Sequence, residues 1–367
     1  MRGAAPAAIA SSAPGRICLF GEHQDYLGLP VIAMAIDLRI EVRGRRRDDG
    51  DATLRIELPD LGRRDAFNPN EEPVYRHGRD YLPAAANVLR RLGLSWPAGY
   101  DIRVTSRIPI NSGASSSSAL QVAWVGFLLA AAGDARATDP LFVAEIAFQS
   151  EVAEFGSPGG MMDQFSTALG GMIYLETRPP YRVERLPARD WAFVLIDSGE
   201  PKGTNEVLGR VRGGVEAGLA ALRAARGGAA VDVGTLTASE AAELEAGAAR
   251  EMLESNLRSR EITQEARRRL EQPACEPREI GGLLERHHAE LAEHLRVSTE
   301  RIDSLLRRAR EMGAFGGKIN GSGGGGGCFS LCPVEAERVA AAIRADGYRV
   351  DVVRPAEGLR VEVGEMA

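Results

Sequence analysis

The sequence predicts an α+β protein built in two halves, and the order of its patterns supports this. Short β-type runs alternate with helical segments through the first half, residues 205–312 have a mostly helical pattern, and strand-like segments return at 328–331 and 349–353. With 367 residues, 44% of them hydrophobic and 26% charged, the chain is long enough to form two hydrophobic cores. We therefore expect two domains, at 1–187 and 188–367.

The expected elements of the first half follow from apolar runs bounded by glycine, proline or charged residues. In chain order they are strands at 17–20, 31–32 and 40–42, a helix at 81–92, a strand at 100–106, an apolar helix after residue 118, a helix at about 141–155, and strands at 172–176 and 191–197. The Pro179-Pro180 pair predicts a linker at about 177–190. In the second half, a helix at 334–345 separates the last two strands.

Composition excludes several classes of protein. A formal net charge of −6 argues against nucleic acid as a partner, and no uncharged stretch is long enough to span a membrane. The four cysteines lack the spacing of a zinc site or a disulfide framework, so we expect reduced thiols in a cytoplasmic protein. We expect a monomer or a homodimer.

The most informative segment is a serine-rich loop that runs from Pro109 into an apolar helix. Its residues read Pro-Ile-Asn-Ser-Gly-Ala-Ser-Ser-Ser-Ser-Ala-Leu, ending at Leu120. A helix N-terminus offers unpaired N–H groups and partial positive charge, which favour phosphate, and serine hydroxyls can bind Mg²⁺. This loop predicts a nucleotide triphosphate as ligand.

Three other segments are rich in chemically useful residues. Residues 14–26 place an arginine, two carboxylates and a histidine just after a strand, residues 151–164 supply two further carboxylates, and residues 318–328 contain a glycine tract. Phosphoryl transfer needs a metal ligand, a group that deprotonates the nucleophile, and positive charge near the phosphoryl group. Glu151, Asp163 and Arg16 are candidates for these roles.

Two common nucleotide-binding motifs do not explain the chain. No Walker A sequence is present, so the motifs of this sequence do not fit a P-loop kinase. Residues 321–326 match G-x-G-x-x-G, but a strand-like segment follows them where a dinucleotide-binding motif requires a helix.

In their order, the segments at 14–26, 109–120 and 318–328 resemble the three motifs of the GHMP kinases, and the Met162-Asp163-Gln164 triplet is most similar to galactokinase. The resemblance implies a ribosomal-S5-like N-terminal domain and a ferredoxin-like C-terminal domain with a helical insertion. It implies an enzyme that uses ATP and Mg²⁺ to phosphorylate a monosaccharide, giving a sugar 1-phosphate.

The same resemblance assigns roles to individual residues. Asp163 matches the catalytic aspartate, and Arg16 matches the arginine that keeps it ionised. Ser117 and Glu151 match the metal ligands. The implied sugar contacts are Glu22, His23, Asp25 and Gly160, and the implied ATP contacts are Asn111, Ser112, Gly113, Ala114, Ser115, Ser116, Ser117, Ser118, Gly321 and Gly323.

Several departures from the galactokinase pattern concern the substrate. Cys18, Gln24 and Leu27 stand where galactokinases usually have Asn, Thr and Asn, Gly159 replaces a cysteine, and Asn320 replaces a threonine. The segment 198–204, which includes Lys202, resembles mevalonate and heptose kinases, and Lys202 is a candidate contact for an acidic substrate. Two alternatives therefore stay open: a mevalonate-type or heptose-type kinase, and a catalytically weak sugar sensor.

Overall fold

A computed structural model describes residues 5–76, 79–109, 112–201 and 203–364. Within these ranges the secondary structure is mixed, with helices and strands in both halves, as the sequence predicts. No helix in the described part of the chain has the length and apolar character needed to cross a bilayer.

The first half is organised around a large, mainly antiparallel sheet. Its core order is β12-β1-β2-β5-β3-β4, and β6 and β7 extend it from the long strand β2. The strands are β1 Ala8–Phe20, β2 Val31–Arg46, β3 Leu54–Leu58, β4 Arg63–Phe67, β5 Tyr100–Ser106, β6 Met172–Glu176, β7 Arg182–Arg185 and β12 Arg360–Gly364. Because β1 ends at Phe20, the charged segment that follows leaves the sheet at that end of the strand.

Four helices pack together beside the first sheet. They are α1 Tyr81–Arg91, α2 Ser116–Ala131, α3 Pro140–Glu151 and α4 Met162–Leu169. Of these, α2 and α4 contact the strands of the sheet directly. Helix α2 is apolar on all sides, and Trp124 and Phe127, both fully buried, stack on each other with ring centroids 5.5 Å apart. A helix that is hydrophobic all round belongs in a core, so α2 is fixed by packing and its N-terminus is held rigidly.

The second half contains a smaller antiparallel sheet of order β11-β8-β10-β9. Its strands are β8 Phe193–Glu200, β9 Gly317–Asn320, β10 Gly326–Leu331 and β11 Arg349–Val353, and its flanking helices are α8 Pro277–Ala289, α9 Glu300–Glu311 and α10 Ala336–Ala345. Along β8 the side chains alternate between two cores: Phe193 and Leu195 join the first, Val194 and Ile196 the second. Because successive side chains of a strand point to opposite faces, both faces of β8 are buried.

A helical insertion precedes α8 and packs against the charged segment after β1. It contains α5 Thr204–Ala225, α6 Ala238–Ala241 and α7 Ala248–Leu270. Its apolar cluster, which includes Val215, Leu253 and Leu257, surrounds the fully buried Leu29. The insertion therefore supports the loop that carries Glu22, His23 and Asp25.

Some expected boundaries differ from those observed. The helix expected at 141–155 ends at Glu151 and is followed by a short 3₁₀ turn at 153–155. The expected linker at 177–190 contains the edge strand β7, whose alternating charged residues conceal its pattern. Strand β12 pairs with β1 in the first sheet, although it lies within the expected second domain, and the domain limits at 187 and 188 remain a prediction.

Candidate active site

The predicted segments converge on one cleft of about 550 Å³. Its lining includes the loop after β1, the serine-rich loop with the start of α2, and the end of α3. The starts of α4 and α5 and the glycine tract of segment 318–328 also contribute. The site residues of the sequence prediction that line it are Arg16, Glu22, His23, Asp25, Gly113, Ala114, Ser115, Ser116, Ser117, Ser118, Glu151, Gly160, Asp163 and Gly321.

The serine-rich loop places the first turn of α2 at the cleft. Gly113 adopts a left-handed φ of 76°, and a Cβ there would lie 2.3 Å from the carbonyl oxygen of Asn320, so only glycine fits. Ser116 and Ser117 are partly exposed and exposed, respectively. The first N–H groups of a helix have no intrahelical partners, so this turn can donate hydrogen bonds to an anion.

The centre of the cleft is a carboxylate held at both oxygens. Arg16 Nε and Nη2 donate to Asp163 Oδ1 at 2.8 and 2.6 Å, and Ser115 Oγ donates to Asp163 Oδ2 at 2.6 Å. Arg16 is buried, whereas the side chain of Asp163 is 31% exposed. The arrangement fixes the orientation of Asp163 while leaving it accessible from the cleft.

A second carboxylate, Glu151, lies at the end of α3 near the start of α2. Its Oε2 accepts a hydrogen bond from Gln164 Nε2 at 2.7 Å, and the side chains of Ser117 and Ser118 lie next to it. Burial raises the pKa of Glu151, and among the described residues none forms an ion pair with it. A buried carboxylate beside the exposed hydroxyl of Ser117 is an oxygen donor set that fits a hard divalent cation.

A further carboxylate of the cleft is Asp25, which lies near Asp163. Its Oδ1 accepts from the N–H of Tyr26 at 3.0 Å and its Oδ2 from the N–H of Met162 at 3.1 Å. Burial, and then the charge of Asp163, raise the pKa of Asp25 to about 6. A Cβ on Gly160 would lie 2.2 Å from this carboxylate, so glycine at 160 makes room for Asp25.

His23 reaches the cleft, but its two ring nitrogens already have protein partners. Nδ1 lies 2.8 Å from the Tyr26 hydroxyl and Nε2 lies 3.0 Å from the carbonyl oxygen of Ser322. Because burial lowers the pKa of His23 to about 4, the ring is neutral at physiological pH. The proton on Nε2 then donates to Ser322, and Nδ1 accepts from Tyr26.

Glu22 and Lys318 form a fully buried ion pair next to the cleft. Lys318 Nζ donates to Glu22 Oε1 and also to the carbonyl oxygens of Cys18 and Ile319, each at 3.0 Å. In the structure its three donors are all directed at protein oxygens.

Asn320 connects the three predicted motifs. Its Oδ1 accepts from the N–H of Cys18 at 3.0 Å, and its Nδ2 donates to the carbonyl oxygen of Gly113 at 3.1 Å. Gly321 follows at the cleft, whereas Gly323 packs against Val297, whose carbonyl oxygen would lie 2.4 Å from an added Cβ. Ser112 is buried and donates to the carbonyl oxygen of Pro109. Gly323 and Ser112 therefore lie behind the cleft surface.

Asn111 and Lys202 lie outside the described residues. Several residues of the cleft lining escaped the sequence analysis, among them Arg79, Tyr81 and Asn205. Arg79 and Glu151 both act electrostatically on Tyr81, which places them at the same end of the cleft. Nothing in the local sequence around these residues suggests a site, because the fold alone brings α1 and α5 to the cleft.

Family models match three parts of the chain. The model described as "GHMP kinases N terminal domain" matches residues 80–171, "GHMP kinases C terminal" matches 273–349, and "Galactokinase galactose-binding signature" matches 2–46. The three matches include most of the segments that line the cleft, whereas the start of α5, the turn at 58–61 and Arg79 lie outside them.

Curated relatives of two kinds align along most of the chain. A mevalonate kinase of Thermococcus sibiricus is 29% identical over 366 residues, covering 96% of this chain and 98% of the relative. A galactokinase of Canis lupus familiaris is also 29% identical, over 335 residues, covering 87% and 82%. The crystal structure of Lactococcus lactis galactokinase complexed with galactose superposes with a TM-score of 0.79 at 22% identity, covering 96% and 95%, which shows a common fold.

Proposed function

Since this chain belongs to the GHMP kinases, we propose that it transfers the γ-phosphoryl group of ATP to the anomeric hydroxyl of a monosaccharide. The product would be a sugar 1-phosphate. Kinases of this family use ATP as the phosphoryl donor.

The observation that carries this proposal is the charge of the acceptor side of the cleft. The described lining residues there include two carboxylates, Asp25 and Glu22, and the neutral His23 and Tyr26. Among the described cations near these residues, Arg16 pairs with Asp163 and Lys318 pairs with Glu22, while Arg210 and Arg212 act on His23 and Tyr26 only through space. Hydroxyl groups of a neutral sugar can donate to such carboxylates, whereas the carboxylate of mevalonate would be repelled.

The proposed reaction assigns the proton to Asp163. The acceptor oxygen forms a bond to the γ-phosphorus while the bond between that phosphorus and the bridging oxygen breaks, and ADP leaves. The hydroxyl proton passes to the carboxylate of Asp163. This carboxylate is accessible from the cleft, because the Asp163 side chain is 31% exposed. Arg16 balances the charge of Asp163 before transfer, and the first turn of α2 supplies donors for the phosphates.

Mg²⁺ is part of the proposal, and Ser117 and Glu151 would hold it. When bound, it would neutralise phosphate charge during transfer. The fit rests on the buried Glu151 carboxylate, which lacks an ion-pair partner among the described residues, and on the exposed Ser117 hydroxyl beside it. Gln164 orients the carboxylate from behind.

The rival substrates have support of their own. Mevalonate kinases are among the curated relatives at 29% identity, and a structure of a D-glycero-D-manno-heptose 1-phosphate kinase superposes with a TM-score of 0.63 at 16% identity. A sugar sensor with little activity is a third alternative. Because a sensor does not need phosphoryl transfer, the complete set of Asp163, Arg16, Ser117 and Glu151 favours an enzyme.

An acceptor panel tests the proposal. ADP release would be measured with ATP, Mg²⁺ and, in separate reactions, neutral hexoses, pentoses, uronic acids, a heptose 1-phosphate and mevalonate, with Asp163→Asn as the inactive control. We expect neutral monosaccharides to be the best acceptors and Asp163→Asn to lose about 10²–10⁴-fold in kcat. Turnover of mevalonate alone would refute the sugar proposal, and no turnover of any acceptor would favour the sensor.

A further inference from the structure

Ser115 has a backbone conformation that its residue type disfavours. Its φ of 56° and ψ of 46° lie in the left-handed region, where a side chain is strained unless the surroundings hold it. It occupies the N-cap position of α2, a place where serine normally accepts a hydrogen bond from the helix. Its hydroxyl makes no such capping bond. The strain is therefore not explained by helix capping.

The neighbouring backbone holds this conformation in place. The carbonyl oxygen of Gly113 accepts from Arg16 Nη1 and Asn320 Nδ2, and the carbonyl oxygen of Ala114 accepts from the N–H of Arg16 at 3.1 Å. The carbonyl oxygen of Ser115 accepts from Ala119 in the first turn of α2. With Gly113, Ala114 and Ser115 fixed in this way, the Ser115 side chain points to Asp163.

The contact with Asp163 explains how that carboxylate pairs with Arg16. A guanidinium commonly binds both oxygens of a carboxylate with two parallel hydrogen bonds. Here Arg16 Nε and Nη2 both donate to Oδ1, and Oδ2 is held by Ser115 at 2.6 Å. Ser115 thus keeps one oxygen of Asp163 away from the guanidinium.

We propose that Ser115 is a positioning residue for Asp163, and that its strained backbone is maintained so that its hydroxyl holds Oδ2 toward the acceptor. The inference rests on the proposed function in one respect, the role of Asp163 as proton acceptor. It changes the role expected for Ser115, which the sequence places among the ATP contacts. A positioning role predicts an effect on kcat, whereas a phosphate contact predicts an effect on the KM for ATP.

A pair of variants separates the hydroxyl from the backbone. Ser115→Ala removes the hydroxyl and keeps a side chain in the left-handed region, while Ser115→Gly removes the hydroxyl and relieves the strain. We expect kcat to fall 10- to 100-fold in both, with the KM values for ATP and acceptor within about two-fold of the original. The melting temperature of Ser115→Gly should equal or exceed that of the original protein, so the lost activity is not lost folding.

Glu335→Gly is the matched control. Glu335 has a φ of 58° at the N-cap of α10, lies outside the cleft lining and is exposed, so glycine there relieves similar strain. Its kcat should stay unchanged. If both Ser115 variants keep kcat within two-fold, or if only the KM for ATP rises, the positioning role is overturned.

A stability cycle keeps the test independent of the substrate. The shift in melting temperature caused by Ser115→Ala would be measured in the original protein and in Asp163→Ala. If the hydroxyl binds Asp163, the shift should shrink when that partner is absent. Equal shifts in melting temperature in both backgrounds would overturn the contact, even if no acceptor is turned over. If the two shifts differ but the protein phosphorylates no sugar, the contact stands and only the proposed substrate is refuted.

Discussion

Asp25 and Asp163 are two carboxylates of one cleft that differ in their partners. Asp163 has a buried arginine on one oxygen and a serine hydroxyl on the other. Asp25 has two backbone N–H donors, and burial together with the charge of Asp163 raises its pKa to about 6. We therefore propose that Asp163 takes the proton and that Asp25 binds the acceptor.

The raised pKa of Asp25 predicts a pH dependence of acceptor binding. An ionised carboxylate accepts hydroxyl hydrogen bonds, and protonation removes part of that capacity. We expect kcat/KM for the acceptor to fall as the pH drops below about 6, with the KM for ATP unaffected. Initial rates between pH 5 and 8 would measure this, after verifying that the protein stays folded.

Asp25→Asn provides the control for that titration. The variant should be less active but should lose the drop in kcat/KM near pH 6. Asp25 affects stability with the opposite sign, because a carboxyl whose folded pKa is raised contributes stability below its unfolded value, and this contribution is lost as the pH rises to about 6. An unchanged acid limb in Asp25→Asn would exclude Asp25 as its source.

Among individual residues, the sequence predicts those that belong to recognisable motifs. Arg16, Asp163, Ser117 and Glu151 stand in such motifs, and the structure brings them to one cleft. The contact between Ser115 and Asp163 depends on the left-handed backbone conformation of Ser115. Contacts with distant parts of the chain hold that conformation, so the residue types alone do not reveal it. The pairing of Glu22 with Lys318, 296 positions apart, likewise needs the fold.

At the scale of elements, the serine-rich loop is tightly constrained at Gly113. Gly113 is wedged against the backbone of Asn320 at a left-handed φ of 76°. Its carbonyl oxygen accepts from both Arg16 and Asn320. The start of α2 is therefore fixed relative to the third motif by the contacts of the Gly113 backbone with Asn320.

Substitution of Gly113 should be costly for this reason. Gly113→Ala places a Cβ 2.3 Å from a carbonyl oxygen and adds left-handed strain, so we expect a loss of about 2–4 kcal/mol in the free energy of unfolding. Gly133→Ala is the matched control, since Gly133 has a φ of 70° with no atom within 4 Å of an added Cβ. Its loss should be about 1 kcal/mol. Chemical denaturation measures both, and equal losses would show that the contact with Asn320 is unimportant.

Strand prediction succeeds for two strands in which apolar residues alternate with polar ones. The strands at 100–106 and 349–353 have the expected bounds. Strands β1 and β2 are much longer than their apolar runs, because their outer positions carry small or charged residues that face solvent. Strands β3 and β4 escape prediction, although β3 shows the same alternation, because both lie in a segment rich in arginines and carboxylates.

In the whole molecule, contacts between the first and third motifs join the two halves. Lys318 and Asn320 on β9 of the second sheet hold the end of β1 and the loop after it. The hydrogen bond from His23 to Ser322 adds a third contact. The cleft is therefore assembled by interactions that span nearly the full length of the chain.

Breaking the Glu22–Lys318 pair should destabilise the whole protein. Lys318→Met leaves the buried Glu22 carboxylate without its cation, and we expect the free energy of unfolding to drop by about 3–5 kcal/mol. Adding Glu22→Gln should restore a large part of this, because the uncompensated charge is gone. Chemical denaturation of the single and double variants measures both effects.

Arg308→Met is a suitable comparison for that pair. Arg308 pairs with Asp346 at 3.2 Å on the surface, with both side chains more than 40% exposed. Its loss should cost about 0–1 kcal/mol. A Lys318→Met variant as stable as Arg308→Met would contradict the importance of the buried pair.

The proposed transfer to an anomeric hydroxyl is tested most directly by the structure of the product. The purified protein would be incubated with ATP, Mg²⁺ and the best neutral monosaccharide of the acceptor panel, and the product examined by ³¹P and ¹H nuclear magnetic resonance. We expect a single phosphate resonance coupled to the anomeric proton of the sugar. A phosphate coupled to any other sugar proton, or phosphorylated mevalonate with no sugar phosphate, would contradict the proposal.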